Sequence, residues 1–423
     1  MKKKSINILI LCIVLIATFF TSMSVCYMIP NNRIRWHVQE SVEQFKNEGQ
    51  YPRLFFGTPA AQLDNFTDAW MLNIALSADN DNPIKSSLRN DYMSSDGDKV
   101  QMLEKAAYNP DDTILGSYSR YWHGYLVFLR PLLLVFNYSE IRFLNMCMLF
   151  LLFTIVNILI KKKLGTRVMV GFLFTMMLVM FMIVPMSIQF SSMFYIMFIA
   201  MIVVLTLYEK IDKENLSAYV FFIIGAVASF LDLLTVPLIT IGIPMAVYIM
   251  LRNKRTALEN FLEVIKGSII WALGYGLTWG SKWVIATIVL KENVIKNAIH
   301  QILVRTSDTG NDVTYTAIDT IKNNANMIFN DLTIKIFVAL IVIWLISLIF
   351  FGSRRSIIKA TPLLLIACMP IVWYVVLKNH SSIHFWFTYR SLAVSVFGVL
   401  AFMDGCLDKD KIMYKLGGYH CNI

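Results

Sequence analysis

The feature that most constrains this chain is a series of long apolar runs separated by short clusters of basic residues. A run of about 18 or more apolar residues is long enough to cross the hydrocarbon core of a bilayer as a helix. Only 16% of the 423 residues are charged, whereas soluble domains carry about 25%. We therefore predict an all-α polytopic membrane protein rather than a soluble one.

Ten transmembrane helices are predicted. The first run follows a basic start and is about 22 residues long, and it lacks a small-x-small cleavage site, so we interpret it as an uncleaved helix rather than a signal peptide. The ten predicted spans cover residues 6–28, 143–160, 168–185, 188–208, 218–234, 237–251, 268–290, 334–351, 361–377 and 391–403.

The positions of the basic residues predict which ends of these spans face the cytoplasm. Clusters at 161–167, 210–213, 252–255, 354–359 and 409–415 all fall on the same side as the basic N-terminus, as the positive-inside rule requires. Both termini are therefore predicted to be cytoplasmic, in the cytoplasmic membrane of a bacterium. The short apolar segment at 125–136 is predicted to be re-entrant or interfacial, because counting it as a span would reverse this agreement.

This topology divides the chain into six parts. The large loop after the first helix is predicted to be extracytoplasmic and to carry interfacial helices, including an amphipathic helix at 34–46. The parts are 1–28 (first helix), 29–142 (large loop), 143–290 (helices two to seven), 291–333 (second extracytoplasmic loop), 334–405 (helices eight to ten, with outer loop 378–390) and 406–423 (cytoplasmic tail).

Composition also argues against several classes of function. The net charge of +10 is explained by the topological clusters, so no nucleic-acid partner is expected. None of the six cysteines lies in the large loop, which argues against a disulfide framework. No Cys/His group has zinc spacing. We predict no cofactor, and a divalent metal stays open as an alternative.

Two acids in the large loop, Asp64 and Asp68, are candidate catalytic residues. They are four residues apart, so on a helix both would lie on one face. Mutual repulsion and burial raise the pKa of one member of such a pair, which suits a general base. On spacing alone a structural role is favoured, in which Asp64 or Thr67 caps a helix and Asp68 is a solvated acid of its first turn.

A cluster of aromatic and basic residues follows in the same loop. It is typical of a site for a sugar or a phosphate, because aromatic rings stack on sugar faces and arginine binds phosphate oxygens. An interfacial aromatic belt is an equally good interpretation. The candidate substrate-binding residues are Arg120, Tyr121, Trp122 and His123.

The last outer loop, residues 378–390, is the densest polar and aromatic cluster in the chain. Its basic residues are predicted to lie outside, so the positive-inside rule does not explain them. We favour a site for a lipid phosphate or diphosphate headgroup over a snorkelling arginine at the start of the last span. The candidate residues are His380, His384, Tyr389 and Arg390.

The layout resembles the GT-C superfamily of integral-membrane glycosyltransferases that use polyprenyl-phosphate-linked sugars. The parts that carry the resemblance are Asp64 with Asp68 early in the large loop, the segment 118–136, and the second span beginning Ile141-Arg142-Phe143-Leu144. The chain departs from the family in having Asp64-Asn65 in place of adjacent Asp-Glu, so either aspartate is a candidate base.

The resemblance implies an extracytoplasmic active site that transfers a hexose or pentose to a cell-envelope glycan or lipid. Asp64 or Asp68 would deprotonate an acceptor hydroxyl, and Arg120, His384 and Arg390 would stabilise the departing lipid phosphate. A transporter or flippase is the first alternative, for which Asp232 is a candidate ionisable residue within a span. A polymerase of lipid-linked saccharides is the second.

Overall fold

The computed structural model describes residues 2–55, 58–310, 313–408 and 411–412. The protein is nearly all-α, as predicted. Met1 and most of the predicted cytoplasmic tail, residues 409–410 and 413–423, lie outside the described residues, so the basic cluster at 409–415 is largely untested.

The first part of the chain contains six helices and one pair of antiparallel strands, in which Tyr92 pairs with Gly116 and Ser94 with Ile114. Two short 3₁₀ helices occupy Pro59–Ala61 and Pro110–Asp112. The elements are α1 (Lys2–Tyr27), α2 (Asn31–Glu48), α3 (Asn65–Leu76), α4 (Pro83–Arg89), β1 (Tyr92–Ser94), α5 (Lys99–Tyr108), β2 (Ile114–Gly116) and α6 (Leu126–Leu132).

The described part of the rest of the chain is mostly helical, with one minimal strand pair, and 3₁₀ helices occupy Phe181–Met186 and Tyr389–Leu392. The elements are α7 (Tyr138–Leu164), α8 (Thr166–Leu178), α9 (Ile188–Lys213), α10 (Ser217–Leu231), α11 (Leu238–Leu251), α12 (Ala257–Leu290), α13 (Val294–Thr306), β3 (Thr309–Gly310), β4 (Val313–Thr314), α14 (Ala317–Asn326), α15 (Asp331–Phe351), α16 (Arg354–Ala360), α17 (Pro362–Ala367), α18 (Met369–Val376), α19 (Lys378–Ile383), α20 (Phe385–Thr388) and α21 (Ala393–Gly405).

Six helical segments of the described chain are long and apolar enough to cross a membrane, which supports an integral membrane protein. They are Ser5–Tyr27, Tyr138–Leu164, Ile188–Lys213, Asp331–Phe351, Arg354–Val376 and Phe385–Gly405. The other predicted spans fall on α8, α10 and α11, which are apolar but only 13, 15 and 14 residues long, and on α12, which has 34 residues. The count of ten spans stays a prediction.

Helix ends follow local capping chemistry. Helix α7 begins at Tyr138, five residues before the predicted span, because Asn137 and Glu140 form a capping box that satisfies the first backbone N–H groups. Its last turn carries Lys161–Lys163, which complement the negative end of the helix dipole.

Helix α15 is not covered by the rest of the described protein. None of its residues is buried, so its apolar side chains are left for lipid.

The large loop packs into a hydrophobic core that it shares with α1, the start of α7 and the end of α10. The predicted amphipathic helix is present as α2, but its apolar stripe (Ile34, Val38, Val42 and Phe45) is fully buried against protein. It packs on α3, α5 and α7. The periodicity therefore predicted the helix, but its apolar face packs on protein rather than along the membrane.

The short segment predicted to be re-entrant or interfacial contains α6, a helix of seven residues. Arg130 on this helix is fully buried. Its guanidinium donates hydrogen bonds to the Cys26 carbonyl (2.9 Å) and to the Ala75 carbonyl, at the C-terminal ends of α1 and α3. A cation is favourable where two helices end, because their last carbonyls lack intrahelical donors. Arg130 thus holds the loop to the first helix.

Candidate functional site

A cavity of about 400 Å³ lies where the large loop after the first helix, the segment that carries Arg305 and residues 378–390 meet. Its volume is in the range of about 300–1,000 Å³ typical of small-molecule sites. The lining residues are Tyr51, Asp64, Phe66, Thr67, Trp70, Tyr92, Lys99, Ser117, Tyr118, Arg120, Gln189, Leu233, Arg305, His380, His384, Trp386 and Phe387.

Four of the predicted site residues line this cavity. Asp64, Arg120, His380 and His384 come from segments that are far apart in the chain. The strand pair β1–β2 precedes the segment that carries Arg120, His380 lies on α19, and His384 lies between α19 and α20. The fold thus joins both predicted aromatic and basic clusters to one of the two predicted acids.

Asp64 is the acid in the cavity. It is the N-cap of α3, and its Oδ1 accepts a hydrogen bond from the Thr67 backbone N–H at 3.0 Å. Only 2% of the residue is exposed. Burial raises the pKa of this carboxyl to about 7, against the opposing hydrogen bonds from Thr67 and with a further contribution from the charge of Asp68. A carboxyl with such a pKa accepts a proton readily near neutral pH.

Asp68 lies outside the cavity lining and has a different environment. It is fully buried, so the alternative of a solvated first-turn acid is wrong. Its carboxylate accepts hydrogen bonds from the backbone N–H groups of Ile188 (2.9 Å) and Gln189 (3.0 Å) and from the Tyr138 hydroxyl. It therefore caps the start of α9 and ties α3 to two membrane-spanning helices, which is a structural role.

Arg142, in the motif that begins the second predicted span, holds Asp64 in place indirectly. Its guanidinium donates to both carboxylate oxygens of Glu48 (2.7 and 2.9 Å) and to the side-chain carbonyl of Asn65 (2.8 Å). Asn65 in turn donates to Glu48 at 2.9 Å. Because Asn65 is the first residue of α3, this network fixes the helix end that carries Asp64.

Three cations line the cavity, and each is held by an aromatic ring or an imidazole. The Lys99 ammonium lies 3.4 Å from the centre of the Trp70 ring, and the Arg120 guanidinium carbon lies 4.3 Å from the centre of the Tyr118 ring. Arg305 donates to His380 Nδ1 at 2.8 Å. Among the described residues, none of the three cations forms a salt bridge with a carboxylate.

His380 is neutral and holds Arg305. Because arginine is always a donor, His380 Nδ1 accepts from Arg305 and Nε2–H donates to the Leu234 carbonyl at 2.7 Å. Burial, followed by the charge of Arg305, keeps the pKa of His380 well below its ordinary value. Burial and Arg305 also lower the pKa of His384 to about 4, so its ring lines the cavity as a neutral imidazole.

The remaining residues of the first predicted cluster lie behind the cavity wall. Trp122 donates from Nε1 to the Thr278 carbonyl at 2.7 Å, and Tyr121 stacks on Trp279. His123 Nδ1 lies 3.0 Å from the Tyr125 hydroxyl, and its Nε2 lies 3.1 Å from the Tyr118 carbonyl. These side chains anchor the segment to α12 and to itself, so they support Arg120 rather than face the cavity.

Tyr389 and Arg390 also point away from the cavity. The Tyr389 hydroxyl lies 3.2 Å from the Ala60 carbonyl, and Arg390 Nη2 donates to the same carbonyl at 3.3 Å. The Arg390 guanidinium is fully buried and lies 4.3 Å from the centre of the Phe190 ring. Both residues attach the start of α21 to the segment before Asp64.

Sequence reasoning missed several residues of this site. Lys99 and Arg305 lie on α5 and α13, which each bury an apolar stripe, and neither was among the predicted site residues. Arg305 offered one signal, because its position in a predicted outer loop is not explained by the positive-inside rule. Tyr51, Trp70 and Trp386 are aromatic and were not separable from ordinary core residues.

The segment 291–333, predicted to be the second outer loop, contributes Arg305 to one side of the site. Its helix α14 joins α19 and α20 through a buried polar network: Thr320 and Ser382 hydroxyls lie 2.6 Å apart, and Asn324 donates to the Ser381 carbonyl at 2.9 Å. Asn324 also accepts from the Thr388 hydroxyl at 2.7 Å. Satisfied buried networks of this kind fix one arrangement of helices.

No protein family, no curated protein and no solved structure matches this chain. Within the described residues, no group of three or more His, Cys, Asp and Glu side chains is placed to hold a metal ion.

Proposed function

We propose that this protein transfers a sugar from a polyprenyl-phosphate-linked donor to a cell-envelope glycan or lipid acceptor. The observation that carries the proposal is the composition of the cavity. One carboxyl with a pKa of about 7 shares about 400 Å³ with three cations that have no carboxylate partner among the described residues and with a wall of aromatic rings. Each of these three features corresponds to one requirement of the reaction.

Asp64 is the proposed general base. Near pH 7 a large fraction of the carboxyl is ionised, so it can accept the proton of an acceptor hydroxyl as the oxygen attacks the anomeric carbon. Asp68 is committed to three hydrogen bonds at the start of α9. We therefore assign the base to Asp64 and a positioning role to Asp68.

The cations are the proposed binding site for the donor phosphate. Arg120 and Arg305 present planar donor groups that suit phosphoryl oxygens, and their charges would stabilise the lipid phosphate as it leaves. A phosphate leaves readily as an anion, so the site needs no strong general acid. The neutral imidazoles of His380 and His384 are consistent with this, since at neutral pH neither is in the imidazolium form that would act as a general acid.

The aromatic wall is the proposed site for the sugar. Tyr51, Trp70, Tyr118 and Trp386 line the cavity together with the charged groups. Aromatic rings offer flat apolar faces with polar edges, and the C–H faces of a sugar ring pack on such surfaces. Which hexose or pentose fits depends on hydroxyl contacts that the bound donor would reveal.

The membrane topology of the proposal is the one predicted from the basic clusters. Ten spans, cytoplasmic termini and an extracytoplasmic cavity would let the lipid chain of the donor stay in the bilayer while its headgroup enters the site. The transporter alternative is less favoured, because Asp232 accepts hydrogen bonds from the Thr235 backbone N–H (2.7 Å) and the Tyr275 hydroxyl (2.9 Å). These contacts explain its burial without a transported ion.

Donor turnover tests the proposal. The purified protein in liposomes is incubated with a panel of polyprenyl-phosphate sugars and a mixed envelope acceptor, and lipid phosphate release is measured. We expect turnover by the wild type and a loss of about 10²- to 10⁴-fold in Asp64→Asn.

Asp98→Asn is the matched control. Asp98 is the N-cap of α5, as Asp64 is the N-cap of α3, but Asp98 lies outside the cavity lining. The control variant should keep wild-type turnover within about twofold, since asparagine caps helices as well as aspartate does. No turnover with any donor, or turnover that survives Asp64→Asn, would contradict the proposal and favour a transporter or a polymerase.

A further inference from the structure

The charge of the cavity exceeds what one phosphodiester would balance. Lys99, Arg120 and Arg305 carry three positive charges, whereas Asp64 is the one carboxyl among the lining residues of the described chain. That carboxyl is only partly ionised near pH 7. A sugar linked to a lipid through one phosphate brings a single negative charge.

The three cavity cations differ from the buried cations elsewhere in the described chain. Arg142 and Arg252 pair with the carboxylates of Glu48 (2.7 Å) and Asp212 (2.9 Å), whereas Arg130, Lys282 and Arg390 donate to backbone carbonyls. Cation–π contacts, such as that of Lys99 with Trp70, hold a cation in place but leave its charge unneutralised. The cavity therefore keeps a net positive charge that a bound anion would offset.

The three cations also fall into two groups. Arg120 and Arg305 both lie near the Tyr121 hydroxyl. Burial raises the pKa of this hydroxyl, and the positive charges of the two guanidinium groups act in the opposite direction and lower it. Lys99 lies instead over Trp70 and within 5.9 Å of the centre of the Phe66 ring, beside the first turn of α3.

We propose that the cavity binds two oxyanion groups at once, one between Arg120 and Arg305 and a second at Lys99. This inference rests on the proposed function, whose substrates it describes more narrowly. The second oxyanion belongs either to a donor linked through a diphosphate or to an acceptor that bears its own phosphate or carboxylate. In either case an anionic oxygen would pair with the Lys99 ammonium.

Two small probes that differ by one charge test the proposal. Dimethyl phosphate carries one negative charge, and the symmetrical dimethyl diphosphate carries two. Binding of each to the full-length protein in nanodiscs of zwitterionic lipid is measured by calorimetry at constant ionic strength, because screening weakens exposed charge pairs. We expect either about tenfold tighter binding of the diphosphate or two bound equivalents of dimethyl phosphate.

These two outcomes identify the source of the second oxyanion. A single equivalent with a preference for the diphosphate assigns it to the donor, whereas two equivalents of dimethyl phosphate assign it to the acceptor. In either case Lys99→Met should remove the preference or the second equivalent. Lys105→Met, on the same helix but outside the cavity lining, should leave binding unchanged.

One bound equivalent with no preference for the diphosphate overturns the proposal, as does binding that is identical in wild type and Lys99→Met. Lys99→Gln serves as a second variant, and the thermal unfolding midpoint of each variant shows whether the protein has folded. The readout does not require turnover. Anion binding without sugar transfer would therefore contradict the proposed function alone, and transfer without the charge preference would contradict this inference alone.

Discussion

Replacing Asp64 with asparagine is expected to stabilise the protein above neutral pH while it abolishes turnover. Asparagine has the shape of the protonated carboxyl and is an equally good N-cap for α3. It cannot ionise, so it avoids the cost of placing a charge at a position that is only 2% exposed. The variant thus separates the effect of the buried acid on stability from its role in turnover.

The magnitude follows from the pKa of Asp64, which burial raises from 3.8 to about 7. Between these two values the folded protein binds more protons than the unfolded chain, so stability falls as the pH rises. Each unit is worth about 1.4 kcal/mol, so ionisation costs about 4 kcal/mol once the pH exceeds the folded pKa. The advantage of asparagine should be near zero below about pH 4 and should level off above about pH 7.

The assay is denaturant unfolding of wild type and Asp64→Asn in the same detergent across pH 4–9, with Asp98→Asn in parallel. Only the difference between the two proteins is interpreted, because other titrating groups cancel in it. A difference that does not change with pH, or an Asp64→Asn protein that is less stable than wild type at pH 8, would refute the reasoning.

Three further variants are expected to give the following results. Asp68→Asn should lower the free energy of unfolding by about 1–3 kcal/mol, because an amide N–H₂ group would face a donor, and the folded fraction should keep its turnover. Arg142→Met should lower the free energy of unfolding by about 3 kcal/mol, since it leaves Glu48 without its partner. In the same unfolding assay, the double variant with Glu48→Gln should recover part of this loss. Arg305→Met should reduce kcat/KM for the donor by about 10²-fold, measured by lipid phosphate release, whereas Lys296→Met, on the exposed side of the same helix, should leave it unchanged.

The helices followed from the spacing of apolar residues, whereas the topology inferred from the basic residues stays a prediction. The apolar runs predicted the helices, and the period of the stripe in α2 identified its buried face. The spacing did not predict where helices begin when capping residues decide it, as at Asn137. Nor did it predict that α8, α10 and α11 would be too short to cross a membrane by length alone.

The site was only partly accessible from the sequence. Loops on one side of a membrane protein are brought together by their spans, so His380 and Asp64 were plausible neighbours, but no pattern specified their contact. The four-residue spacing of Asp64 and Asp68 could not say which acid faces the cavity. The fold decides this, because Asp68 is turned towards the start of α9 and Asp64 lies at the open end of α3.

The cations illustrate the same limit. Arg390 and Arg120 looked alike in the sequence, each following a tyrosine or a serine in an aromatic cluster. In the structure Arg120 lines the cavity, whereas Arg390 lies against Phe190 and the Ala60 carbonyl. The direction in which each arginine side chain points is set by tertiary packing, which the residue type and its neighbours in the sequence do not reveal.

The most direct test of the account is a cryo-EM structure of the Asp64→Asn protein with a polyprenyl-phosphate sugar that the wild type consumes. The account predicts the sugar in the cavity, with its anomeric carbon facing residue 64 and its phosphate against Arg120 and Arg305. A donor bound elsewhere in the protein, with this cavity empty, would contradict it.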